Sequence, residues 1–365
     1  MTEKEHNRNL GIDLLRIVSM FMIVLLHVLG QGGILSKASP LSIHWMVAWF
    51  IEILSYVSVN CYALISGYVG FDKGFRLSKV MKLWMEVAFY TITIMLVFSL
   101  LYPNMINRSV INSALMPITS RSYWYISAYF GIIFLTPIVN KAVKNMSEIE
   151  LRKLLIYFSI FGILLPALNL SDPMTFQGGY TAFWLLYLYL FGAYIKHYSI
   201  AQKFSFTSLN SFFCVTTVTS FLLWCLLQYL LRFRPGLLRY SMLLVNYTAP
   251  IMFASSLVLF LEFVKFNHFS FMVKKLIKLF APATLGVYLI HVNHLIWEKY
   301  IKGFAVGFVN GSATMMAVKV VFTALCIYLA CSFVDLLRIY LFKALRINEI
   351  CEQISNQIEE KLDGQ

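Results

Sequence analysis

The stretch RNLGIDLLRIVSMFMIVLLHV, residues 8–28, decides how the rest of the chain is read. It is an apolar run long enough to span a bilayer, yet it keeps two costly side chains, Arg16 and His27, within it. At about 100° per residue their separation is three turns plus roughly 20°, with a rise of about 16 Å, so both project from the same helix face. Arg16 falls toward the start of the helix, where a permanent, bidentate cation can hold phosphates, and His27 lies deep. One face thus joins an anion site to a titratable base. Plainer readings stand beside this one: Arg16 as a snorkelling anchor paired with Asp13, and His27 as a hydrogen-bonded packing histidine.

Working outward, 59% of the 365 residues are apolar and 13% charged, with 31 Phe, 21 Tyr and 7 Trp. Soluble domains carry about 45 to 50% apolar and about 25% charged residues, so a soluble globular enzyme is excluded. At roughly 20 apolar residues per span the chain can supply about ten. Candidate spans fall at 11–30, 44–70, 83–102, 122–140, 154–170, 181–195, 209–231, 242–262, 283–301 and 313–336. The expectation is an all-α integral membrane bundle of about ten helices within the lipid bilayer. With the N-terminus inside, twenty of the 30 Lys and Arg residues fall in cytoplasmic segments and eight outside, leaving Arg16 and Lys319 within spans. That bias places both termini in the cytoplasm of a cell membrane and explains the net charge of +13 without nucleic acid. No hydrophilic insertion provides a second domain, so residues 1–340 read as one transmembrane unit and 341–365 as a short amphipathic cytoplasmic tail with a frayed acidic end. The first helix lacks a small-residue cleavage site and reads as retained. The six cysteines show no C-x-x-C pair and no metal spacing, and read as packing residues.

Other polar residues lie where lipid is expected. In LGVYLIHVNHLIWEKY, residues 285–300, His291, His294 and Glu298 recur at i, i+3 and i+7 and so share a helix face, which suggests a polar cavity rather than a metal site. Glu52 in the second span and Lys319 in the last read as a structural ion pair, or with Glu52 lining an acceptor cavity. Arg76, Lys79 and Lys82, at the cytoplasmic start of the third span, suit a phosphorylated ligand or lipid headgroups. Arg121, Tyr123, Trp124 and Tyr125 suit sugar stacking or an interfacial aromatic belt. There is no G-x-x-x-x-G-K-[ST], no G-x-S-x-G and no tight zinc pattern, so nucleotide hydrolysis within the chain is not expected.

Over about residues 8–340 the sequence resembles the bacterial membrane acyltransferase-3 family, whose members acylate sugars of surface polysaccharides and related glycans. The first helix matches the family's arginine, ten residues, histidine pattern with Arg16 and His27. Supporting matches are VNCYALISGYV, YWYISAYFGIIFLTPIVN, FWLLYLYLFGAYI and TLGVYLIHVN, in that order. The resemblance implies that His27 is catalytic and Arg16 essential on the acyl-donor side. It implies acetyl-CoA or another short acyl-CoA as donor, a glycan hydroxyl as acceptor, no metal, and polysaccharide-assembly proteins as partners. The family's R-x-x-R at the start of span three corresponds to Arg76 and Lys79, and lysine lacks the bidentate fork. Many relatives carry a fused extracytoplasmic hydrolase-like domain, which is not found in these 365 residues. Glu52, Trp124 and Tyr125 are the expected acceptor-binding residues, and His291 is expected to orient the acceptor or shuttle its proton. Direct transfer and a transient acyl-histidine both remain open at this stage. The rival class is a transporter using intramembrane His, Glu and Lys.

Overall fold

The structure is a computed structural model that describes residues 8–71 and 73–363; residues 1–7, with Lys4, lie outside them. Its longer helices, in chain order, are α1 (Leu10–Leu29), α2 (Ile43–Ser55), α3 (Ser58–Gly70), α4 (Leu77–Leu101), α5 (Arg108–Leu115), α6 (Trp124–Ile133), α7 (Thr136–Asn145) and α8 (Glu148–Ser159). They continue as α9 (Ala182–His197), α10 (Phe206–Leu231), α11 (Pro250–Lys265), α12 (Phe271–Phe280), α13 (Thr284–His291), α14 (Ala313–Ala344) and α15 (Ile347–Asp363). No strand occurs among the described residues. By length and composition, six helices can cross a bilayer, or up to eight if each of two bent pairs is one span. α9 and α11 stand where two further spans are expected, but each has 16 residues. Such a helix is about 24 Å long, short of a hydrocarbon core of about 30 Å.

Helix α1 begins at Asn9, whose side chain accepts from the Ile12 N–H while its amide donates to the Val264 carbonyl at the end of α11. Both orphaned polar groups are satisfied and the start of α1 is fixed. α3 and α9 cross at backbone contact. A Cβ on Gly67 would lie 2.0 Å from the Tyr189 carbonyl oxygen, and one on Gly192 would lie 2.1 Å from that of Leu64. Small residues on both partners are what permit so close an approach. At this crossing the buried Asn60 side chain donates to the Tyr247 carbonyl at 2.9 Å and accepts from the Trp184 indole at 3.0 Å.

The contacts gather one set of helix ends. Lys203 pairs with Glu148, Lys265 donates to the carbonyls of Ala201 and Phe204, and Asn140 donates to the Gly70 carbonyl. α15 lies against the start of α4 at this basic end: the Ser355 hydroxyl accepts from the Ser78 N–H, and Glu352 pairs with Lys82. α15 remains helical through Asp363, so its acidic end is not frayed, and α14 runs eight residues past the expected end of the last span. At the opposite end, Gly303 and Ala305 donate to the carbonyls of Gln31 and Gly32, clasping the turn after α1.

Overpacking a helix crossing costs about 1–3 kcal/mol. Gly67→Val should therefore lower the melting temperature in detergent by several degrees, whereas Gly236→Ala, which meets open space, should leave it unchanged. Equal melting curves for the two variants would contradict the close α3–α9 crossing.

Candidate functional site

The site forms where α1 meets the break after α13. The sequence HVNHLIWEKY does not continue as one helix: Asn293 caps a new turn by accepting from the Leu295 N–H, and Trp297–Ile301 follows as a π-turn. An asparagine side chain competes for backbone donors and so marks a boundary. The two halves of the pair are bent by 59°. This break separates the three residues expected on one face. His291 is 1% exposed, while His294 and Glu298 are exposed and Glu298 pairs with Lys302 at 2.9 Å. No cluster of three or more His, Cys, Asp or Glu suited to a metal occurs among the described residues.

His27 and His291, 264 residues apart in the chain, meet at 2.9 Å through Nδ1 of the first and Nε2 of the second. The other nitrogen of His291, Nδ1, lies 2.5 Å from the Val287 carbonyl oxygen. A carbonyl only accepts, so this Nδ1 carries a proton, and in the neutral ring Nε2 is then an acceptor. His27 Nδ1–H donates to it, which leaves the lone pair of His27 on Nε2. The Trp297 indole packs edge-on against the His27 ring, with centroids 5.1 Å apart. The histidine is thereby held in both tautomer and orientation, as a general base requires.

His27 lines a cavity of about 360 Å³. Met20, Ile23, Leu26 and Leu285 supply apolar wall, and Tyr62, Trp124, Tyr125, Tyr180, Tyr247, Tyr288 and Trp297 supply aromatic wall. Trp124 stacks near Tyr247 and packs against Tyr180 at 4.6 Å as part of this cavity wall. The hydroxyls of Tyr125 and Tyr288 are buried without a hydrogen-bond partner among the described residues.

Of the residues singled out from sequence, His27, Trp124 and Tyr125 line this cavity. His291 stands behind His27 and supports it instead of facing the cavity. Arg16 is partly exposed, one helix face below, and its guanidinium bonds to Asp13 at 3.0 Å while Asp13 also holds Arg8. The Asp13 pairing expected for a plain anchor is therefore present. Tyr62 links the two regions, since its hydroxyl donates to the Arg16 carbonyl at 2.8 Å and its ring lines the cavity. Arg76 and Lys79 are exposed at the start of α4. The α4 backbone donors beside them are engaged by the chain's own tail, Ser78 by Ser355 and Leu77 by Glu359.

Glu52 is buried but lines neither of the two main cavities, and its Oε2 has no hydrogen-bond partner. The expected Glu52–Lys319 ion pair is not formed: the Lys319 ammonium sits 5.8 Å from the Phe308 ring centroid. Glu52 is buried inside the bundle whereas Lys319 is on an exposed face of α14, so the two do not meet. Sequence reasoning passed over Tyr62, Tyr180, Tyr247, Tyr288 and Trp297. Only Tyr288 carried a signal, being three residues from His291 on the same helix.

A family model described as an acyltransferase domain, acyltransferase 3, matches residues 9–333. No curated protein and no solved structure matches the chain. Nitrogen-15 NMR of histidine-labelled protein in detergent should show His27 protonated at Nδ1 and bare at Nε2, and His291→Phe should return it to a tautomer mixture. Protonation at Nε2 in the wild type would contradict this arrangement.

Proposed function

The chain belongs to the acyltransferase-3 family, and from that membership we propose that it transfers an acetyl or other short acyl group from acyl-CoA to a hydroxyl of a surface or lipid-linked glycan. The observation that carries the chemistry is that His27, with its Nδ1 engaged by His291, lines a cavity of aromatic and apolar side chains. The basic end of the bundle faces the cytoplasm of the cell membrane in this reading, with both termini there and ten spans in all, α9 and α11 included. Acyl-CoA enters from that end. Its phosphates meet Arg16, with Arg76 and Lys79 at the mouth, and its pantetheine arm covers the rise of about 16 Å to His27. Apolar side chains such as Met20, Ile23 and Leu26 suit that arm better than they suit a polar solute.

In the transfer step His27 Nε2 takes the proton of the acceptor hydroxyl as its oxygen bonds to the thioester carbonyl carbon. The C–S bond then breaks, and the imidazolium returns its proton to the sulfur. An ester and CoA thiol result, with His27 neutral again. His291 acts throughout as a positioning residue, keeping the lone pair of His27 on Nε2. The transporter reading has no support in the family match.

Removal of a general base costs about 10² to 10⁴ in rate. Purified wild-type protein in nanodiscs should cleave acetyl-CoA with release of CoA thiol, and His27→Ala should lose at least about 10²-fold. Arg16→Gln should act chiefly by raising the KM for acetyl-CoA. Wild-type protein that cleaves none of acetyl-, propionyl- or succinyl-CoA, with or without glycan, would overturn the reading.

A further inference from the structure

A second cavity, of about 300 Å³, lies between the later half of α4, α5, the 116–123 segment and the break after α13. Its character is the opposite of the first. Asn107, Ser109, Ser113, Ser120, Ser122 and Asn293 line it, together with Thr91 and His294; of these, Asn107, Ser109, Ser120 and His294 are exposed at its mouth. No Lys, Arg, Asp or Glu does so among the described residues. Part of this polar lining is already spent: Thr91 donates to the Ala114 carbonyl at 2.7 Å, Ser122 donates to that of Ser113, and Ser120 bonds to Ser122 at 2.8 Å. The hydroxyls of Ser109 and Ser113 take part in no hydrogen bond among the described residues, and the Asn107 side chain uses its oxygen on Val110 and leaves its amide donors free.

A concave surface of hydroxyls and amides without formal charge fits a ligand of the same kind. The cations and charged forks that most strongly hold a phosphate, carboxylate or nucleotide do not line this cavity. A polyol offers alternating O–H donors and acceptors that match serine and asparagine one for one.

The wall between the two cavities is narrow in sequence and in bonding. Tyr123 and Asn293 line the polar cavity, while their chain neighbours Trp124 and Val292 line the cavity of His27. The Tyr123 hydroxyl accepts from Asn293 Nδ2 at 3.0 Å and donates to the Leu289 carbonyl at 2.8 Å, closing the wall two residues before His291. The α13 break therefore serves both compartments.

We propose that this serine- and asparagine-lined cavity is the acceptor subsite, which seats an uncharged sugar ring against the Tyr123–Asn293 wall, and that one hydroxyl meets His27 when the Tyr123–Asn293 hydrogen bond parts. This rests on the acyl-transfer reading and adds the acceptor's place and its neutral polyol character. It moves recognition of the sugar away from Glu52, which lines neither cavity.

The test measures acetyl-CoA turnover in nanodiscs with a panel of neutral methyl glycosides (gluco, galacto, manno and N-acetylglucosamine forms), and with glucose 6-phosphate and glycerol 3-phosphate as charged counterparts. At least one neutral glycoside should stimulate turnover and emerge O-acetylated. Ser113→Leu, which fills the cavity, should raise the KM for that glycoside about tenfold, a difference of about 1.4 kcal/mol, while the KM for acetyl-CoA moves less than about twofold. The smaller double variant Ser109→Ala/Ser113→Ala should shift the acceptor KM in the same direction, and it keeps the test valid if leucine disturbs folding. The inference is overturned if both variants leave the acceptor KM unchanged, or if only charged acceptors, or none, stimulate turnover. His27-dependent cleavage of acetyl-CoA in those cases would leave the acyl-transfer reading standing, and its absence in the wild type would remove both.

Discussion

The hydrogen bond between His27 and His291 ties the first helix of the chain to one near its end, and the arrangement of the site follows from it. Bonds of this type between membrane helices contribute only about 0.6 to 2 kcal/mol, too little to account for a fold of this size. Its consequence is directional. Because the Val287 carbonyl fixes the tautomer of His291, the proton of His27 is assigned to Nδ1 and the lone pair to Nε2, on a residue that lines an aromatic cavity. A carboxylate in place of His291 would orient His27 equally well but would carry a charge that this depth of the bundle disfavours. A neutral imidazole gives the orientation without the charge.

The helix break after His291 is the second structural device. Asn293 ends one helix and caps the next, and the π-turn that follows brings Trp297 onto the His27 ring. The same few residues close the wall between an apolar, aromatic cavity and a polar, uncharged one. Broken backbone at membrane depth is tolerated where it is buried in protein or lines a cavity, and here it lines two. In the proposed reaction, a donor with a long flexible arm takes the cavity of His27 and a neutral hydroxyl-rich acceptor takes the one across the wall. α13 is held for this purpose by its packing on α14, where a Cβ at Gly286 would fall 2.1 Å from the Asp335 carboxyl carbon. Asp335 is itself fixed by Tyr90 and by a bidentate bond from Arg338, which also pairs with Glu86.

Much of this was legible in the sequence because two signals are local. Helical periodicity put Arg16 and His27 on one uninterrupted helix, which α1 is, and the membrane character follows from composition alone. His291 was recognisable from TLGVYLIHVN, but its partner was not, since nothing local states that residues 264 apart will touch. The shared face of His291, His294 and Glu298 failed for a physical reason: a 3.6-residue period cannot be carried across an asparagine cap and a π-turn. The Glu52–Lys319 pair failed because opposite charges in one membrane are not thereby neighbours. The expected span at 242–262 starts eight residues before α11 because apolar loop residues are counted with it, whereas 181–195 lies almost wholly on α9. The serines of the polar cavity gave no signal, being spread over the 107–122 segment with no motif.

The central claim is that His27 serves acyl transfer to a glycan. The most direct test is proton NMR of surface polysaccharide purified from cells that carry the wild-type chain, the His27→Ala chain at matched membrane levels, or neither. The account predicts O-acyl resonances, removable by mild alkali, with the wild type alone. Identical spectra from all three would contradict it.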